Sequence, residues 1–265
     1  MRLLIIGIII IFVFCSQVCI AQDTVNIEEM ILRGKEDIQQ AKKANDVTKL
    51  MASKEYFIGL LGNKSYEELV HYYIGYADLN LFNIYYGKKD KKTAKKFLYD
   101  GIEYLEKAIE LKGDFAEGYA LLSWLFFNKM AVAPLSMMSS GPKSGKFIEK
   151  ALELAPKNPR VLYYAGVMKF NTPGMFGGSK EAGIKLVQKS VDSFKSFKPL
   201  KSFYPGHSQE DANVYLGICY MELDNLDEAQ YCFEKVLEMY PDNNYVKNEL
   251  MVQLKEKKQQ SENHI

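Results

Sequence analysis

The chain is poor in the residues that most often carry chemistry. Of its 265 residues, three are histidine, four are cysteine and one is tryptophan. His71, His207 and His264 stand far apart, none at metal-ligand spacing or beside a nucleophile motif. No catalytic residue, metal ligand or cofactor is therefore assigned. An enzyme built from distant residues is retained only as a second alternative. Net charge is also nearly absent, with 34 basic against 33 acidic residues, which gives no pointer to nucleic acid. Sustained period-two alternation is missing, so no strand is expected. Beyond residue 21, no apolar run reaches the roughly 20 residues of a membrane span. What remains is abundant: 48% hydrophobic and 25% charged residues, the mixture of a globular protein.

The first 21 residues stand apart. Arg2 precedes the apolar run Leu3 to Cys15, and Cys19-Ile20-Ala21 leads to Gln22. A positive start, a short apolar stretch and a small residue at the junction describe a secretory signal peptide over 1–21. The expected location is the periplasm or the exterior. A lipid-anchored start at Cys15 or Cys19 is disfavoured by the bulky Phe14 and Val18 before them. Removing Arg2 leaves 33 residues of each sign. Two cysteines then remain, Cys219 and Cys232. An exported protein invites a disulfide. With Gly217 level with Ala229 in an antiparallel helix pair, Cys219 lies level with position 227. Cys232 is then about 7.5 Å further along the helix axis, before any lateral distance is added. Both read as unbridged thiols.

From residue 22 onward, apolar residues recur at helical spacing between breaks of Gly, Asn, Asp and Pro. The expected helices cover about 26–44, 46–61, 66–86, 92–112, 114–131, 143–154, 160–171, 179–197, 210–223, 226–239 and 243–256. Residues 22–256 thus form one helical domain, and 257–265 a polar C-terminal tail. The second helices share a frame of small, large and small residues at spacings of four and three. It reads Ala52-Tyr56-Gly59, Gly101-Leu105-Ala108, Ser144-Ile148-Ala151 and Gly183-Val187-Ser190. Ala229-Phe233-Val236 is a partial fifth, with Gly217 and Tyr220 before it and Pro241 after. Small residues let two helices approach, and the large one fills the space beside the crossing. The frame resembles the tetratricopeptide repeat (TPR). The resulting fold class is all-α: a TPR-like α-α superhelix, or solenoid, of about five helical hairpins plus a closing helix.

Four segments narrow the resemblance: HYYIGYADLNL, ALELAPKNPRVLYYAG, FNTPGMFGGSKEAG and KSVDSFKSFKP. Together they look like an exported TPR-like group common in Bacteroidetes, over residues 26 to 240. More loosely the chain is similar to the T component of TRAP transporter systems. The resemblance implies a fold and a compartment but no reaction. The Trp-Gly pair expected after the proline near residue 205 is replaced by Pro205-Gly206-His207-Ser208.

Two turns carry the candidate site. Those at 131–142 and 171–179 are enlarged and belong to consecutive hairpins, so they fall on one edge of a helical array. They offer Met137 and Met138 from the first. From the second come Asn171, Thr172, Pro173, Met175, Phe176, Gly177 and Gly178. Flexible methionines and an aromatic suit an adaptable apolar contact. The competing reading is that both turns only cover helix ends. Gly177-Gly178-Ser179 lacks the Lys-Ser/Thr ending of a phosphate loop. The lysines around 88–96 and the tyrosines at 72, 73, 76, 85 and 86 read as a solvated turn and as core packing. Acidic residues, spread along helix faces, read as solvated charges. The expected function is a non-catalytic periplasmic scaffold or adaptor for a protein or peptide of the cell envelope. The alternative is a small-molecule-binding accessory of a TRAP-like uptake system, taking a small apolar ligand.

Overall fold

The computed structural model describes residues 27–262. The signal-peptide expectation for 1–21 therefore lies outside the described residues. Eleven α-helices are present among those residues, and no strand. Helix α1 covers 27–43, followed by α2 Val47–Ile58, α3 Glu67–Gly87 and α4 Lys91–Leu111. Next come α5 Ala116–Val132, α6 Met137–Leu154, α7 Pro159–Asn171 and α8 Lys180–Phe194. Then α9 Gln209–Glu222, α10 Leu226–Met239 and α11 Met251–Glu262 complete the order. Successive helices pair as five hairpins with α11 closing the series, an α-α superhelical repeat fold.

Two compact units divide the chain, where the sequence suggested one domain. The first holds the described residues up to Lys112 together with Leu200–Tyr204. The second holds Gly113–Pro199 and the described residues from Pro205 onward.

Small residues set the helix pairs, as the repeat frame requires. In α3/α4, a side chain on Gly75 would meet Leu105 at 2.7 Å and the Gly101 carbonyl oxygen at 3.2 Å. In α5/α6, the Ser123 and Ser144 hydroxyls each donate to the other residue's carbonyl, at 2.7 and 2.9 Å. In α7/α8, Gly166 faces Val187 and the Gly183 carbonyl. In α9/α10, Gly217 faces the Phe233 ring. The α1/α2 pair corrects the expected register by one residue. Ala52 and Gly59 are exposed and Tyr56 only half-buried, while Ser53, Phe57 and Leu60 face inward. Gly34 lies against Phe57 there.

Three hairpins close through the same three-residue turn. Asn45, Lys89 and Asp224 each take a left-handed conformation. The next amide donates back five residues, Asp46 to Ala41, Asp90 to Tyr85 and Asn225 to Tyr220, at 2.9 to 3.0 Å. This is the Schellman closure of a helix C-terminus. Asp46 and Asp90 then cap the following helices by accepting from the Lys49 and Thr93 amides. The remaining two hairpins, α5/α6 and α7/α8, carry short 3₁₀ turns instead, Pro134–Ser136 and Gly174–Phe176.

Two boundaries differ from the sequence reading. The turn between α5 and α6 is shorter than expected, because α6 starts at Met137 and contains Gly141 and Pro142. Proline fits here because its fixed φ suits a helix and the one carbonyl it leaves without a donor lies near the helix start. At the other end, helix α11 continues to Glu262, so residues 257–262 are helical rather than a tail. Lys257 and Lys258 reach Asp224 and Asp227 at 2.7 Å from that last stretch.

Candidate functional site

The α7/α8 turn is built by its own backbone. Ser179 N–H donates to the Lys169 carbonyl at 2.9 Å, and Gly178 N–H to the Pro173 carbonyl at 3.2 Å. Thr172 Oγ1 donates to the Met168 carbonyl at 2.7 Å, and Lys169 Nζ to the Gly177 carbonyl at 2.6 Å. Gly177 has φ +84°, which favours a residue without Cβ. A Cβ on Gly178 would fall 1.6 Å from the Thr172 carbonyl oxygen, so the backbone can pass only with glycine there. Gly178→Ala is accordingly expected to cost about 1–3 kcal/mol or more, measured by urea denaturation. Ser179 caps α8 by accepting from the Ala182 amide.

This framework leaves two side chains projecting. Met175 is 85% exposed and Phe176 66% exposed. On the preceding hairpin, Leu135 and Met138 project as fully from the 3₁₀ turn and the start of α6, and Met137 is half-exposed. The nine expected site residues thus divide by task. Thr172, Pro173, Gly177 and Gly178 hold the turn. Asn171 donates to the Val167 carbonyl at 2.7 Å and to the Tyr215 hydroxyl. Met137, Met138, Met175 and Phe176 offer apolar surface.

The sequence on either side of the two turns is rich in lysine. Between residues 118 and 148, and again between 161 and 180, the charged residues are Lys129, Lys143, Lys146, Lys169 and Lys180, with no Asp or Glu. Lys129 and Lys143 lie over the Phe126 ring, and Lys180 over Phe170. Lys180 also pairs with Glu222 at 3.3 Å. Glu222 thus offsets Lys180, and the exposed Glu181 follows it in sequence.

A protein-family model described as "RMD1-3: Regulator of microtubule dynamics protein 1-3" matches residues 38–261. The chain belongs to this family. No curated protein matches the sequence. Among solved structures, the HusA haemophore from Porphyromonas gingivalis shares 22% identity with this RMD1-3 family member. Its TM-score is 0.59, over 73% of this chain and 92% of that one. A thermophilic TPR protein of Thermus thermophilus is 12% identical with TM-score 0.59, over 84% of this chain and 98% of that one. Both likenesses are of fold.

The family member also holds a charged cluster that the sequence reading passed over. Asp78, read as a solvated helix charge, is fully buried in α3. Lys54 of α2 lies 2.7 Å from its Oδ1, close but poorly aligned for a hydrogen bond, and no donor among the described residues reaches Oδ2. Asp100 of α4 holds the same ammonium at 3.3 Å. Burial pushes the Asp78 carboxyl up to about 7, against the opposing pull of Lys54. Burial works against the Lys54 charge too, yet Asp78 and Asp100 hold its pKa above the ordinary value. The signal was present: Asp78 is the sole charged residue between Glu68 and Lys88, inside a run of aromatic and aliphatic residues. In the same helix His71 is buried, its ring 5.7 Å from that of Tyr104, and burial lowers its pKa. Among the described residues, no three His, Cys, Asp or Glu side chains converge on a possible metal position. Cys219 and Cys232 are free thiols whose pKa values burial raises to about 12 and about 11. Tyr72, Tyr73 and Tyr76 are core residues.

Proposed function

We propose that the chain is a non-catalytic scaffold or adaptor that binds a protein or peptide partner in the cell envelope. The observation that carries this reading is the exposure of Leu135, Met138, Met175 and Phe176 at the turns of two consecutive hairpins, on a backbone that needs none of these side chains for its own closure. Large exposed apolar side chains clustered at turns are a mark of interaction surfaces. Lys129, Lys143, Lys146 and Lys169, near these turns in sequence, favour a partner with acidic groups beside an apolar centre. The description of the family as regulators of microtubule dynamics fits a role exercised by binding other proteins. Export through the N-terminal segment would put the encounter in the periplasm or outside the cell. Helical repeats of this kind present surfaces without supplying a reaction centre.

Crosslinking in the native envelope followed by mass spectrometry tests this. A Met175→Ala/Phe176→Ala variant should lose the partner, with affinity lower by about tenfold or more, the weight of one buried anchor. Its thermal midpoint should stay unchanged, because both side chains are exposed. A crosslinked partner retained equally by the variant sinks the assignment of this edge.

A second reading is a small-molecule carrier, an accessory to a TRAP-like uptake system. HusA is described as a haemophore, and thioethers beside an aromatic ring suit a flat apolar ligand. Titration with haem, followed by its absorption band, decides whether such a ligand binds.

A further inference from the structure

The first unit contains a segment that is not contiguous with it in sequence. Leu200–Tyr204 comes from the connection between α8 and α9, where Pro199 and Pro205 bracket it and keep it out of a helix. It folds as a turn, with Tyr204 N–H donating to the Lys201 carbonyl at 3.0 Å. Its seat is formed by α1 and α3, the first helices of the unit's two hairpins.

Three consecutive carbonyls of the segment are captured by two buried side chains. Lys35 of α1 donates to the Ser202 and Tyr204 carbonyls at 2.6 and 2.8 Å. Tyr73 of α3 donates to the Phe203 carbonyl at 2.7 Å. The Phe203 side chain is 2% exposed and meets the Tyr66 ring edge-on at 4.9 Å. At the rim, Lys201 donates to the Glu28 carboxylate and to the Tyr66 hydroxyl. The bonds to carbonyls read backbone and carry no side-chain identity. Selectivity resides in one aromatic seat and one acidic rim residue. This is how a groove holds a short peptide: main-chain bonds give affinity and a few pockets give specificity.

We propose that this face of the first unit is a peptide-binding site and that Leu200–Tyr204 occupies it in cis as a displaceable plug. The partner is a short turn-forming segment with an aromatic residue two positions after a lysine, in the pattern Lys-x-Phe. The site is separate from the exposed apolar side chains at the turns of the second unit and stands or falls independently of them. A tethered plug acts at a high effective concentration, so a partner binds only when the plug is weakened or the partner is abundant.

The test uses the full chain and a fluorescein-labelled peptide copying residues 198–206, followed by anisotropy, with folding monitored by circular dichroism. Phe203→Ala is expected to keep the helical spectrum and to bind the peptide at least about tenfold tighter than the unaltered chain, because the competing cis ligand keeps its carbonyl bonds but loses its aromatic anchor. Lys201→Ala, which loses only rim contacts, should give a smaller gain. Adding Tyr73→Phe to Phe203→Ala should reverse it, and a peptide with alanine for phenylalanine should not bind. Met175→Ala/Phe176→Ala should leave peptide binding unchanged. A folded Phe203→Ala chain with no gain overturns the proposal. So does a Phe203→Ala chain that loses its helices, since a plug that can leave must not be needed for folding.

Discussion

Replacing Lys54 with methionine should destabilise the unit that contains α2, α3 and α4 by about 3–5 kcal/mol at pH 8.5, and by much less at pH 5. Asp78 is the reason. Its ordinary pKa of 3.8 rises to about 7 when burial removes water from the carboxylate. The folded state therefore holds the proton more tightly than the unfolded state does. Its contribution to stability is full below about pH 4 and is lost as pH climbs through about 7. The gap between the two values caps that contribution at roughly 4 kcal/mol. Above pH 7 the carboxylate is ionised, and Lys54 at 2.7 Å is its close counter-charge. Removing the ammonium there leaves a buried charge without compensation. At pH 5 the carboxyl is already neutral. Only the pairing of Lys54 with Asp100 and its contacts with the Phe97 and Tyr104 rings are then lost. Urea titrations at the two pH values measure the difference. A loss of equal size at both would show that Lys54 acts through packing alone. Lys54→Met/Asp78→Leu should recover most of the loss, because an apolar pair of similar volume replaces a buried ion pair at little cost.

The contrast between Asp78 and the repeat frame shows what was legible in the sequence. Helix pairing was, because Gly101-Leu105-Ala108, Ser144-Ile148-Ala151, Gly183-Val187-Ser190 and Ala229-Phe233-Val236 all face their partner helices. Each needs a close crossing, and a close crossing needs small residues at fixed spacing. The same logic slipped by one residue in α2, where the adjacent aromatics Tyr56 and Phe57 both satisfy the pattern. Gly34 lies against both rings, and it is the stacking of Phe57 on Tyr73 of α3 that selects between them. Gly141 and Pro142 misled the placement of α6 because they usually punctuate chains, yet the first turns of a helix tolerate both. The exposure of Met175 and Phe176 follows from the glycine-rich turn that carries them, whereas Met137 and Met138 belong to the first turn of α6 and not to an enlarged loop. The Leu200–Tyr204 plug was not legible, because main-chain carbonyls have no sequence signature and its partners, Lys35 and Tyr73, lie more than 100 residues away.

Phe233→Ala is the second large effect expected, a loss of about 3–5 kcal/mol from the unit that contains α9 and α10. The ring is wholly buried in a cluster with Ala229, Val236, Val246 and Leu250, and its removal leaves a cavity that neighbouring helices fill only in part. The ring also explains Gly217. A Cβ at that position would sit 2.4 Å from Phe233 Cε1, so Gly217→Ala alone should cost about 1–3 kcal/mol through overpacking. The two effects are linked, and the link has a sign. In a Phe233→Ala background the obstructing ring is absent. Gly217→Ala should then become stabilising by up to about 1 kcal/mol, the helix-propensity advantage of alanine over glycine. A double-mutant cycle read by denaturant midpoints should thus show a coupling of about 2 kcal/mol or more. Equal costs for Gly217→Ala in both backgrounds would mean that glycine is needed there for some reason other than the ring. Coupling of the expected sign identifies the aromatic ring as the element that demands the small residue, which is the physical content of the repeat frame at its most tightly packed crossing.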